Sequence, residues 1–224
     1  MVTPIYERQA AIYDPSLRAD RVGVIGVGNV GSHAAVNLAR LGIRSLELFD
    51  PDTVEEHNLS SQYYDRTHLG RHKALALGDA LMRINPELIV YAHAELLTKC
   101  PEADIIVCAV DSLWARRDIA GMLEREHFAG GNRSNDALQA RIIDCRVGGH
   151  QIEIYNCATP IEWLATIPER ATDDPCGAQF IGYVSAVAGA LIACQVRKIL
   201  TGCSFDRSLV LNLETLQVLK NVTW

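Results

Sequence analysis

Three glycines, Gly26, Gly28 and Gly31, stand in the spacing G-x-G-x-x-G between a short apolar, β-branched run at residues 22–25 and a helical pattern carried by Ala34, Leu38 and Leu41. That order of strand, glycine turn and helix suits a phosphate cradle. The first glycine permits the tight turn, the second lets an anion approach the backbone, and the third lets the helix pack on the strand with its N-terminus facing the charge. Asp50 follows 19 residues after Gly31, at the end of a second expected buried strand over 45–49, where a carboxylate can accept from ribose hydroxyls. An adenine nucleotide is the ligand these residues fit; the competing reading is a purely structural turn.

The elements that must hold these residues read as follows. The two expected strands and the helix between them, stopped at Gly42, form a βαβ unit, which implies a parallel pair with a right-handed crossover. A helical pattern over 68–84 ends before Pro86, strands are expected at 88–91 and 104–110, and a helix over 113–126. Within the second of these strands, 105–110 is continuously apolar, as in the middle of a parallel sheet. This alternation predicts an α/β fold with a doubly wound, mainly parallel sheet and ligands at the carboxyl ends of its strands. After about residue 137 the pattern becomes antiparallel. Residues 140–147 and 151–156 flank Gly148-Gly149-His150 as a hairpin, to which Arg146 belongs, and 208–213 with 216–222 form a closing hairpin. Between them lie 159–177, with three prolines and no periodicity, expected as a long loop, and a helix over about 178–200 that is uncharged through Val196. One domain over 1–224 results, with an N-terminal arm (1–20), a nucleotide-binding half (21–136) and a mixed-sheet half (137–224).

Composition narrows the function. With 224 residues, 49% hydrophobic and 21% charged, the chain should fold as one globular unit. Twenty-one basic against twenty-seven acidic residues, a net charge of −6, disfavour nucleic acid and anionic membrane surfaces as partners. Seven cysteines without any C-x-x-C pair suit reduced thiols rather than disulfides or a cysteine zinc site, and the N-terminal segment lacks a signal-peptide layout, so a cytoplasmic protein is expected. The apolar heart of the uncharged helix, 180–194, is shorter than the roughly 20 residues of a membrane span, so a buried core helix is expected. His57, His68, His72 and His93 lack H-x-x-x-H spacing on one helix, and no zinc is expected.

Further motifs follow in a fixed order: Tyr6-Glu7-Arg8-Gln9, the glycine loop, Asp50-Pro51-Asp52-Thr53-Val54, Asn58-Leu59-Ser60-Ser61-Gln62, Gly70-Arg71-His72-Lys73, and Asp111 through Arg116. This series, from Tyr6 to about Leu200, resembles the ThiF/MoeB/HesA group of ubiquitin-activating-like adenylyltransferases, Rossmann-like proteins that use ATP to adenylate the C-terminal glycine of a ubiquitin-like or sulfur-carrier protein. The resemblance implies ATP bound by Gly26, Gly28, Gly31, Asp50 (to the ribose), Asp52, Asn58, Gln62, Lys73 and Arg116. It implies Mg2+ on Asp111, catalysis by Lys73, Asp111 and an Arg8 that reaches into the partner's site of a homodimer, and a small carrier protein as partner. Cys176 stands where some members carry a cysteine for thioester or persulfide chemistry. Two departures are plain. Ser61 replaces the family's usual phosphate-binding arginine, for which Arg66, Arg71 or a partner's arginine are the substitutes, and the frequent paired C-x-x-C zinc motif is absent.

Chemistry asks for the same residue types. When a carboxylate attacks the α-phosphorus of ATP, negative charge grows on the phosphate oxygens and the departing pyrophosphate, and cations with a metal carboxylate stabilise it. The nucleophile is already ionised at neutral pH and needs no base. Each residue also has a plain structural reading: Arg8 a solvated charge near a terminus, Lys73 an exposed helix lysine, Asp111 the N-cap of the helix from Leu113, Cys176 a buried small hydrophobe. The expected function is carrier-protein adenylation. The alternatives are an NAD-dependent oxidoreductase and a nucleotide-binding adaptor that has lost turnover with the arginine at 61.

Overall fold

The computed structural model describes residues 4–17, 20–129, 141–168 and 181–221. Eight strands form one sheet in the order β3-β2-β1-β4-β5-β6-β7-β8. They are β1 Arg21–Ile25, β2 Ser45–Phe49, β3 Ile89–His93, β4 Ile105–Cys108, β5 Arg141–Gly148, β6 Gln151–Cys157, β7 Ser208–Asn212 and β8 Gln217–Lys220. The first five pair in parallel, and β5 through β8 pair antiparallel. The doubly wound, mainly parallel sheet with an antiparallel continuation is therefore the observed fold. Strand order reverses between β1, register-paired with β2 on one side, and β4 on the other (Val22 opposite Leu46 and Ile105). Such a switch point opens a crevice at the strands' carboxyl ends.

The continuous apolar runs of β1 and β4 follow from burial on both faces. One face is covered by α1 (Asn29–Leu41), α2 (Lys73–Ile84) and α5 (Gly182–Leu200), the other by α3 (Leu113–Ala129) and α4 (Pro160–Ala165). Helix α1 ends as expected at Gly42, whose φ of +94° lets its N–H and that of Ile43 close on the last turn. Helix α5 is long and apolar enough, by length and composition, to cross a membrane. Its buried Val184, Ala188, Ile192 and Val196 join the core shared with α1. At Gly189 any Cβ would come within 2.6 Å of the His33 backbone, so the two helices lie backbone to backbone.

Two departures from expectation go beyond a shift of a few residues at an element's end. Helix α2 starts at Lys73 rather than near 68, because Gly70 (φ +76°) breaks the chain there and the Val54 N–H and C=O pair with Arg71 and Gly70. The expected long loop over 159–177 contains helix α4. Thr159 caps it by accepting from the Glu162 N–H at 3.1 Å, Pro160 occupies its first turn, and Trp163 is fully buried. Three prolines masked a helix whose first proline sits where a helix tolerates one.

Candidate active site

A cavity of about 590 Å3 lies at the switch point, between the glycine turn, the ends of β2 and β4, and the start of α3. The three glycines do three different things. Gly26 has φ +80°, open to glycine and strained for other residues. A Cβ at Gly31 would stand 1.8 Å from the Gly26 carbonyl oxygen, so α1 can begin this close to the turn only with hydrogen there. At Gly28 a Cβ would meet only Gln62 Nε2, at 3.8 Å. No protein atom crowds that position, and the missing side chain leaves room in the cavity for a ligand.

Asp50 ends β2, buried, and accepts from the Val27 N–H at 2.8 Å and the Asp52 N–H at 2.9 Å. Burial pushes its pKa up, against the opposing pull of these hydrogen bonds and of Lys73. Lys73 opens α2 only 7% exposed, and its Nζ lies 2.9 Å from Asp52 Oδ2, so it is not the exposed helix lysine of the plain reading. The Tyr64 hydroxyl donates to the Val27 carbonyl at 2.8 Å and lies 3.2 Å from that of Lys73. A closed circuit thus joins glycine turn, Asp50, Asp52, Lys73 and Tyr64. Tyr64 carried no motif; a buried tyrosine's need for a polar partner is the signal that could have found it. Burial and then the Asp50 charge push its pKa up, which keeps the hydroxyl a donor.

Asp111 follows β4 on the cavity wall, exposed, with no hydrogen bond or ion pair among the described residues. It does not cap α3: the Ala115 N–H goes to Ser112 Oγ at 3.3 Å. Arg116 also lines the cavity but is 1% exposed and committed inward, Nε donating to Asp144 Oδ1 at 2.8 Å and Nη2 to the Cys145 carbonyl at 3.0 Å. Asp144 also accepts from Arg146 Nη2 at 2.7 Å and Trp163 Nε1 at 2.9 Å. Burial pushes its pKa up, but the two guanidinium groups and their hydrogen bonds outweigh burial and hold it below the usual 3.8. Arg146 is thus one of the two cations in a buried charge cluster and not only a hairpin residue.

The remaining expected residues scatter. Gln62 lines the cavity. Asn58 borders an adjoining hollow of about 340 Å3, which shares Asp52 and Lys73, and its Oδ1 accepts from the Glu55 N–H as half of a capping box. Arg66 pairs with Glu56 and Arg71 with Asp79; neither lines the cavity, so neither takes the place of the missing arginine there. Arg8 is exposed and does not line its own chain's cavity. Cys176 lies outside the described residues. Among the described residues, the cysteine on the cavity wall is Cys145, whose thiol is pushed up, chiefly by burial and then by Asp144, and is no ready nucleophile.

A doubly wound sheet with a ligand-sized gap over a glycine turn, a buried carboxylate ending β2 and a lysine beside it define a Rossmann-like α/β protein of the nucleotide-binding kind. The chain belongs to the ThiF family, whose profile matches residues 6–223. Ubiquitin-like modifier-activating enzyme 5 of Caenorhabditis briggsae is 28% identical over 197 residues, covering 79% of this chain and 45% of that protein. Its Arabidopsis thaliana counterpart is 27% identical over 202 residues, covering 79% and 46%. The chain spans about half the length of the curated relatives it matches. Among solved structures, E. coli MccB superposes with a TM-score of 0.76 at 18% identity, covering 97% of this chain and 68% of that one. MccB with ATP gives 0.72 at 19%, covering 97% and 71%. At such identities the likeness is one of fold.

Proposed function

We propose that the chain is an ATP-dependent adenylyltransferase that activates the C-terminal glycine carboxylate of a small ubiquitin-like or sulfur-carrier protein and works as a homodimer. The observation that carries this reading is the cavity itself: a glycine turn with open space over Gly28, Lys73 beside it, and on another wall a carboxylate, Asp111, that has no partner among the described residues. The carrier's carboxylate forms a bond to the α-phosphorus while the bond to the pyrophosphate oxygen breaks, giving an acyl adenylate and pyrophosphate. The backbone at Gly28 approaches the phosphates, Asp50 offers its remaining lone pairs to the ribose, and Lys73 exchanges Asp52 for phosphate oxygens. The oxygen donors of Asp111 suit a hard cation, so Asp111 would hold Mg2+, which neutralises phosphate charge. Family membership and the relatives' names support the reading, as do the MccB structures of the same fold solved with ATP and with MccA.

ATP–pyrophosphate exchange in the presence of candidate carriers tests it. The expected result is carrier-dependent exchange; ATP binding without exchange for any carrier would favour the adaptor, and tight NAD binding without an ATP response the oxidoreductase. Asp111→Ala should reduce exchange by about 10²–10³-fold, the usual loss of one charge-stabilising group, with an unchanged melting curve. Wild-type exchange in that variant would remove Asp111 from the site.

The dimer has its own test. If Arg8 acts in the partner's cavity, inactive Arg8→Ala and inactive Asp111→Ala proteins should regain activity when their subunits exchange, because one site of each mixed dimer holds both residues. No recovery after demonstrated exchange would count against a role for Arg8 across the interface.

A further inference from the structure

Among the described residues, the cavity is poor in available cations. Asp50, Asp52, Glu95, Asp111 and Asp118 line it against Lys73 and Arg116, and both of these are already paired with carboxylates. A polyphosphate needs other donors. Asn29, the first residue of α1, lines the same cavity half-buried, and its Oδ1 accepts from the Ser61 hydroxyl at 2.6 Å. Its Nδ2 has no acceptor among the described residues.

Ser61 is itself fixed. Its carbonyl lies 3.1 Å from His33 Nε2, its N–H donates to the Asn58 carbonyl at 3.2 Å, and two residues on, the Tyr63 N–H donates to Ser32 Oγ at 2.9 Å. A carbonyl only accepts, so the His33 proton sits on Nε2, in keeping with a ring whose pKa burial lowers. The loop carrying Ser61 is thereby laced along the first turns of α1. A serine hydroxyl has one proton, and here it is given to the amide oxygen, which turns the amide NH2 away from Ser61.

We propose that Ser61 and Asn29 act as a pair in place of a charged phosphate donor: Asn29 Nδ2 donates to the polyphosphate of a bound nucleoside triphosphate, and Ser61 is the positioning residue that aims it. The pair makes sense of Ser61 where the family resemblance implies an arginine, and of an asparagine within the glycine turn. The inference rests on the nucleotide reading given above.

Titration of MgATP and of adenosine against wild type, Asn29→Ala, Ser61→Ala and the double variant tests it. Asn29→Ala should weaken MgATP about 10- to 100-fold, the range for a hydrogen bond to a charged group, and leave adenosine unchanged. Ser61→Ala should weaken MgATP by less. The double variant should be no weaker than Asn29→Ala, because Ser61 acts only through Asn29. Asn29→Asp keeps the shape but turns an anion toward the phosphates, so it should bind MgATP more weakly than Asn29→Ala. Wild-type MgATP binding by Asn29→Ala would overturn the pair, as would equal losses for adenosine, additive losses in the double variant, or tighter binding by Asn29→Ala from an oxygen facing the phosphate. A wild type that binds neither ligand would overturn the nucleotide reading and the pair with it; tight wild-type binding unaffected by every variant would overturn the pair alone.

Discussion

Replacing Asp144 by alanine should destabilise the protein by about 3–5 kcal/mol, enough to leave a domain of ordinary stability partly unfolded. Asp144 is 0% exposed and accepts from Arg116, Arg146 and Trp163. The alanine variant would keep two guanidinium groups in the interior without their counter-charge, which costs far more than a surface pair is worth. Asp144→Asn keeps the shape but not the charge and should recover little of the loss. Urea unfolding of the three proteins is the measurement, and a loss under about 1 kcal/mol would show that the guanidinium groups find other partners or water. The same cluster sets an acid limit. Because the folded pKa lies below the usual 3.8, its contribution is complete above that value and is lost as pH falls through the folded pKa. From neutral pH down to the usual carboxylate range Asp144 should add no pH dependence, and acid unfolding should follow below it.

The second large effect is at the glycine turn, and its strength lies in a contrast. Gly31→Ala sets a methyl group 1.8 Å from the Gly26 carbonyl oxygen and 2.9 Å from its carbon. Both are backbone atoms that no rotamer change can move, so α1 must shift or the turn must open. Overpacking of this kind commonly costs about 1–3 kcal/mol or more. Displacing the turn by an ångström should cost about 10²-fold in activity besides. Gly28→Ala meets only the end of a flexible glutamine at 3.8 Å. It should melt closer to wild type than Gly31→Ala does, while losing nucleotide affinity, because its methyl group occupies the ligand's space. Calorimetric titration beside thermal melting separates the two. Equal melting losses for both variants would show that Gly28, too, serves the protein's own packing.

Much of this molecule was legible in its residues, and the legible parts have a common character. The apolar run before Gly26, the Gly26-Gly28-Gly31 spacing, the stop at Gly42 and Asp50 at the end of β2 are local features, set by strand burial, helix periodicity and the conformational freedom of glycine within a few dozen residues. Both antiparallel hairpins were equally local. The doubly wound sheet followed because alternating strand and helix patterns leave few ways to bury their apolar faces.

Other features depended on which distant side chains meet, and no spacing records that. Asp144 faces Arg116 across 28 residues, Tyr64 reaches the Val27 carbonyl across 37, and Ser61 reaches Asn29 across 32. Motif order brought Arg116 toward the nucleotide, whereas packing turned its charge inward to Asp144 because a buried guanidinium needs a carboxylate more than it needs a cavity. The start of α3 was capped by Ser112 rather than Asp111, which left that carboxylate at the cavity wall without a partner among the described residues. A sequence lists the groups that must be satisfied when buried; only the folded chain decides which of them satisfy one another, and so which are left over for a ligand.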